Sequence, residues 1–302
     1  MQNKRIGCLL IVFFLVIIYV NTNAQENVIK LYGPNNELKD IPVELIKVEG
    51  GVFEMGNKFS NDYEDEIPVH KVKVNTFYIG KYEITTEQFC TFLNSMEKNQ
   101  QNEAKIKEWI EITGEHSLIE KIDNGYRAKF KYGKHPMIKV TWYGAKAFCN
   151  WIDCRLPTES EWEYAACNRG EKIIFPWGNS KNTKYANSWK YSGKLTSILV
   201  MPDLFNSRGT VPVGSFSPNK LGLYDMAGNA EEWCVDWYDA NYYKEIYIKD
   251  TPVVNPQGPE KGDTKVVRGG SWFDEISRLR VANREARYPD LLSNTIGFRV
   301  CR

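Results

Sequence analysis

Residues 222–238 read GLYDMAGNAEEWCVDWY. Four carboxylates (Asp225, Glu231, Glu232, Asp236), the rings of Tyr224, Trp233, Trp237 and Tyr238, two glycines and Cys234 share these seventeen positions. The apolar residues follow neither the period of 2 of a half-buried strand nor the period of 3.6 of an amphipathic helix. The stretch therefore predicts irregular backbone, pinned by buried rings and, through its crowded oxygens, by a bound cation.

Around it lie 302 residues, 42% hydrophobic and 13% aromatic, enough to bury a real core. Formal charge is +1 and no long basic run occurs, so a nucleic-acid partner is not expected. No repeat or low-complexity linker interrupts the chain after residue 40. This favours one domain over residues 41–302, preceded by a polar lead-in segment at 25–40.

At the start, Lys4 and Arg5 precede an apolar run from Cys8 to Val20, and Thr22 and Ala24 place small residues before Gln25. This is the pattern of a signal peptide over residues 1–24, cleaved near Ala24-Gln25. The run of 13 residues falls short of the ~20 that span a bilayer. The expected product is exported, periplasmic or extracellular, with no stable membrane span and a net charge of −1 once Lys4 and Arg5 are gone. Beyond Cys8, six cysteines remain, an even number that permits disulfides without selecting any pairing.

Residues 42–56 alternate around Gly50-Gly51 and predict a strand pair. Asn61–Glu66 reads as a solvated acidic loop, and Val69, Val72 and Val74 mark a half-buried strand leading into Phe77-Tyr78-Ile79. Thr85-Thr86-Glu87-Gln88 is a capping box ahead of Phe89, Phe92, Leu93 and Met96, which predicts a helix. Residues 97–134 read as a surface insertion with a weak helical pattern near 105–112. A second helix is predicted from Thr141, and a third after Thr158, whose partner in a capping box is Glu161. Beyond Gly170 the scattered Gly, Pro, Asn and Trp predict loops held by aromatic packing. His70, His116 and His135 are too dispersed to form a metal set and read as structural or surface residues.

Seven motifs run in one order: GGVFEMG at 50–56, EIPVH at 66–70, RLPTESEWEYAA at 155–166, FPWGN at 175–179, residues 222–238, VRGGSW at 267–272 and IGFR at 296–299. In this order they resemble the formylglycine-generating enzyme (sulfatase-modifying factor) family. The resemblance covers about residues 41–302 and implies an irregular, loop-rich single α+β domain of that type, related to the C-type lectin fold. It also implies structural calcium. One set is Asp225 and Glu232 with the Gly228 and Ala230 carbonyls; the other is Asn187 and Asp203 with the Ser188 and Phe205 carbonyls. Hard oxygen donors of this kind suit Ca²⁺. The same resemblance suggests a Cys149–Cys301 disulfide, offset by one residue, and places Val281 where the partner of Cys167 would stand.

The family's namesakes oxidise a sulfatase cysteine with Cu(I) and O2 on two thiolates five residues apart, soft donors suited to Cu(I). Here Asp274 and Leu279 occupy the approximate positions, and no cysteine lies between Cys234 and Cys301. No copper and no catalytic residue are therefore expected. Glu231 stands where the enzymes often carry Trp, beside the peptide groove; Ser271, Trp272 and Arg284 are further groove candidates, with core packing and an internal ion pair as the alternatives for the last two. The expected role is a calcium-stabilised binding or accessory protein for a peptide, glycan or envelope partner. The alternative is an oxidoreductase using another metal or acid-base chemistry near Asp274 and Glu275, where Arg278 and Arg280 equally permit a salt-bridged loop.

Overall fold

The computed structural model describes residues 27–97, 103–114, 117–189 and 209–302. The expected signal peptide, His116, Asp203 and Phe205 lie outside the described residues. Strand β1 (Val28–Leu31) runs antiparallel to β2 (Val43–Val48), which pairs on its other edge with β5 (Phe77–Gly80). The lead-in is thus part of the fold, with Leu38 fully buried behind it. A second sheet joins β3 (Gly51–Met55), β4 (His70–Val74) and β9 (Val253–Val254). The strands predicted as a pair, β2 and β3, therefore belong to different sheets. Between them Gly50 lies so close to the backbone of Val74-Asn75-Thr76 that a Cβ would collide with it.

Three helices begin where the sequence predicts. Ahead of α1 (Thr86–Glu97), the Thr85 N–H donates to Gln88 Oε1 at 2.9 Å and the Gln88 N–H to Thr85 Oγ1 at 3.3 Å. Residues 97–134 are not merely a surface insertion. They hold α2 (Glu103–Trp109) and a hairpin of β6 (Ile119–Ile122) and β7 (Gly125–Ala128), and Ile106, Ile110, Ile119 and Tyr126 join the main core. Four well-spaced apolar anchors dock a segment whose average composition is polar. Helix α3 (Trp142–Trp151) is capped by Thr141, and α4 (Glu159–Ala166) carries the Thr158/Glu161 box. The core they share with the C-terminus is aromatic: Phe89, Phe92, Phe148 and Phe298 pack with ring centroids 5.3 to 6.1 Å apart. A short α5 (Tyr242–Ile246) follows.

The central sheet has the order β11-β10-β8-β12, built from β8 (Glu231–Trp237), β10 (Lys265–Arg268), β11 (Glu285–Arg287) and β12 (Ile296–Gly297). Here residues 222–238 depart from expectation, because only their first half is irregular and the second is a strand. Glu231 to Cys234 are all buried. A strand covered on both faces carries no alternation to read.

Buried ion pairs hold the sheet to α4. Arg268, on β10, donates to Glu159 at 2.9 Å and to Glu163 at 2.5 Å. Arg284 donates to both oxygens of Glu159 at 2.7 and 3.0 Å; it is an internal ion pair and not a groove residue. Burial opposes ionisation of Glu159, but Arg284 and Arg268 outweigh it and hold the carboxyl below its ordinary range. The acidic loop at 61–66 is likewise not all solvated: Glu66 is buried against Arg280, at 2.6 and 2.8 Å. Of the histidines, His70 is buried edge-on to Tyr243, and His135 Nδ1 meets Thr210 Oγ1 at 3.1 Å.

Cys90, Cys149, Cys154, Cys167, Cys234 and Cys301 are all free thiols, so the expected Cys149–Cys301 pair is not formed. The one-residue offset explains this. Val300 joins the core cluster of Cys149, while Cys301 turns into the other large cluster, as alternate side chains of an extended segment must.

Removing one partner of a buried ion pair strands the other, at a cost of about 3–5 kcal/mol. Arg268→Ala is expected to lower unfolding stability by about that much, measured by urea denaturation; a loss below 1 kcal/mol contradicts the role given to this network.

Candidate functional site

The chain between β10 and β11 is anchored to the sheet at both ends, and it carries the two positions where the resemblance places copper thiols. Neither carries a thiol. Asp274 Oδ2 accepts from the Ser271 N–H at 2.8 Å and the Ser271 hydroxyl at 2.6 Å, closing a turn. Leu279 is fully buried with Phe175, Ala186 and Ala227. In the chain the nearest thiols on either side, Cys234 and Cys301, are core side chains with no exposed surface.

Beside this turn, Glu231 opens β8. Arg287 of β11 donates to its Oε1 at 3.1 Å, while its Oε2 is buried with no hydrogen-bond partner among the described residues. Burial raises the carboxyl to about 7 against the pull of Arg287, and Asp274 adds to the rise. Arg287 also reaches Glu285 at 3.2 Å, and Arg278 pairs with the same Glu285. Glu285 thus meets two guanidinium groups and shares one of them, Arg287, with Glu231, while Asp274 lies close enough to act on Glu231. Above them sit rings: Trp272, whose indole N–H donates to the Asn294 carbonyl at 3.0 Å, and Phe273, 55% exposed and edge-on to both Trp272 and Trp189. Of the four groove candidates, Glu231, Ser271 and Trp272 gather here. Arg284 does not.

The first calcium set lies on the other side of β8. Both oxygens of Glu232 accept from Arg299, each at 2.6 Å, and Oε2 also accepts from the Trp162 indole at 2.8 Å. Asp225 accepts from the Gly214 N–H at 2.7 Å, and burial raises it to about 6. Between them stands Glu83, which no sequence motif marked. It is fully buried, accepts from the Ala230 N–H at 3.1 Å and the Asn229 amide at 3.0 Å, and is raised well above the carboxylate range by burial, then by Asp225 and Glu232. Three acidic side chains therefore crowd around one cation, Arg299, which pairs with Glu232, while burial favours the protonated form of Glu83. Gly228, at φ +77°, is pressed onto the Asn187 carbonyl so tightly that no Cβ fits. This brings together residues from the two expected calcium sets. Ser188 Oγ, nearby in the chain, is buried without a hydrogen-bond partner among the described residues. Among the described residues, no three His, Cys, Asp or Glu side chains converge as a metal-binding group. What favours a cation here is the excess of acidic side chains over Arg299; residues 225–230 are all buried, and Glu232 itself is turned to Arg299.

A fold of this topology, carrying these motifs in this order, is that of a sulfatase-modifying factor. The family model for the sulfatase-modifying factor enzyme 1-like domain matches residues 34–302, and the chain belongs to that family. It is similar to the serine/threonine-protein kinase pkn1 of Chlamydia caviae, 35% identical over 268 residues that make up 88% of this chain and 39% of that one. The chain thus spans about two fifths of the length of such relatives. It is similar over more of their length to the formylglycine-generating enzyme of Bos taurus (31% identical, 85% of this chain and 74% of that one). It also resembles the inactive C-alpha-formylglycine-generating enzyme 2 of the same species (30%, 85% and 87%). Among solved structures it matches PvdO from Pseudomonas aeruginosa, with a TM-score of 0.61, 25% identity and coverage of 88% of this chain and 96% of that one. Variable protein 1 of Treponema denticola matches equally well, at 0.61, 23%, 86% and 95%. The fold is the α+β, C type lectin-related one that the motifs imply, and no helix among the described residues is long and apolar enough to cross a membrane.

Glu231 ionises near 4.5 in an unfolded chain and keeps its proton to about 7 when folded. Over that window the folded state binds the extra proton, so its stability falls as pH rises. Glu231→Gln removes the effect. Relative to the parent, the variant should gain about 2–3 kcal/mol between pH 4 and pH 7, read from denaturant midpoints; parallel pH profiles contradict the assignment.

Proposed function

We propose that this chain is an exported, calcium-stabilised member of the family that binds a peptide, glycan or envelope protein in an accessory role and does not perform copper-dependent formylglycine formation. The observation that carries this reading is the state of the two thiol positions. One is a carboxylate spent on a turn and the other a leucine sealed in the core, so Cu(I) finds no pair of soft donors there. What the same place offers for recognition is the half-buried guanidinium of Arg287 and the exposed ring of Phe273, with the buried Glu231 carboxyl holding Arg287 in place. Folds host functions that their sites determine, and a relative named as inactive at 30% identity is consistent with the scaffold persisting without the reaction. Export rests on the charged and apolar pattern of residues 1–24. Calcium rests on the excess of carboxylates around Asp225.

Residues 25–302 incubated with Cu(I), O2 and a sulfatase-type cysteine peptide are expected to give no aldehyde by mass spectrometry; peptide converted to formylglycine overturns the reading. For calcium, addition of the ion should raise the melting temperature and a chelator should lower it again. A melting temperature indifferent to both contradicts the calcium part alone.

A further inference from the structure

A cavity of about 410 Å³ opens between the loop at 56–63, residues 173–175 and the turn at 276–282. This is within the ~300–1,000 Å³ of small-ligand sites. Its wall is apolar, from Ile173, Phe175, Ile276, Val281 and Ala282, and it includes Cys167. Cys167 and Val281 are the two positions that the resemblance joins by a disulfide. Here they share one cluster with no bridge between them. The thiol donates to the Tyr164 carbonyl at 3.6 Å, and burial pushes it up to about 12, so it is wall and not nucleophile.

The mouth has a sign. Lys58 and Lys181 line it, and Lys172 sits 5.8 Å from the centroid of the exposed Phe59 ring. Lys58 is near enough to the cavity to pull on the Cys167 thiol. The other charges are spent or few. Glu163 is held by Arg268 and by the Gly56 N–H, and Arg280 is held by Glu66 against the Tyr63 ring. Among the described residues that leaves exposed Asp62 as the one unspent carboxylate of the lining, against the two lining ammonium groups of Lys58 and Lys181.

We propose that this cavity binds a carboxylate with an apolar body, the body on the wall of Ile173, Phe175, Val281 and Ala282 and the head between Lys58 and Lys181. An apolar wall gains by covering hydrocarbon, and the ammonium groups at the mouth select an anion over a neutral or cationic head. The same chemistry is offered by a free fatty acid and by the C-terminal carboxylate of a peptide ending in an apolar residue. No residue of this wall belongs to the Glu231 site, so the proposal stands or falls independently of the copper question.

Isothermal titration of residues 25–302 with decanoate, decanol and decylamine tests it, with a peptide ending in Leu-Phe as the acid and as the amide. Decanoate or the peptide acid should bind at least tenfold more tightly than its neutral counterpart, and decylamine should not bind. The tighter of the two acids identifies the source. The surface double variant K58E/K181E should weaken the acid at least tenfold and leave decanol unchanged, and Ala282→Phe, which fills the wall, should abolish both, with folding checked by circular dichroism. Equal binding of acid and neutral forms, no binding of either acid, or an unchanged affinity in K58E/K181E overturns the proposal.

Discussion

Arg299 is the interaction on which the irregular half of this protein depends. Its guanidinium, with no exposed surface, donates to both oxygens of Glu232, to the Gly80 carbonyl at 2.8 Å and to the Tyr224 carbonyl at 2.9 Å. One side chain near the C-terminus therefore ties β5, the loop at 222–230 and β8 together, and through Glu232 it reaches Trp162 of α4. Burying a guanidinium costs several kcal/mol unless its donors are met. Here they are met by groups that only this arrangement of loops supplies, which is how long connections without regular hydrogen bonding acquire one conformation.

Arg268 and Arg284 repeat the device along α4, converging on Glu159. Asp236 of β8 adds to it by accepting from the Glu159 N–H at 2.9 Å, and burial raises that carboxyl to about 8. The scaffold thus places its charges inside to set geometry. The segment from Ser271 to Arg287 carries carboxylates, guanidinium groups and rings.

Helices α1 and α4 were legible because their capping boxes are local: Thr85 with Gln88 and Thr158 with Glu161 each announce a start within four residues. The family was legible because seven short motifs keep their order. Strand β8 was not, since burial on both faces erases the alternation that marks a strand, and the docking of 103–128 was not, since it depends on four apolar residues diluted in a charged segment. The role of Arg284 could not be chosen between groove and ion pair without knowing that Glu159 lies beside it. Glu83 was invisible for the same reason, because its neighbours in the chain give no sign of Asp225 and Glu232 around it. The Cys149 pairing shows the resolution required: an offset of one residue sends the thiol of Cys301 into a different cluster.

The central claim is that the scaffold is kept while the Cu(I) site is replaced by a turn-closing carboxylate and a core leucine. Titration of Cu(I) into the reduced, folded protein against a chromogenic chelator such as bicinchoninate tests it most directly. Without a thiolate pair at Asp274 and Leu279, the chelator should keep its copper. Withdrawal of one equivalent by the folded protein, in a form that then consumes O2 in the presence of a cysteine peptide, would contradict the account.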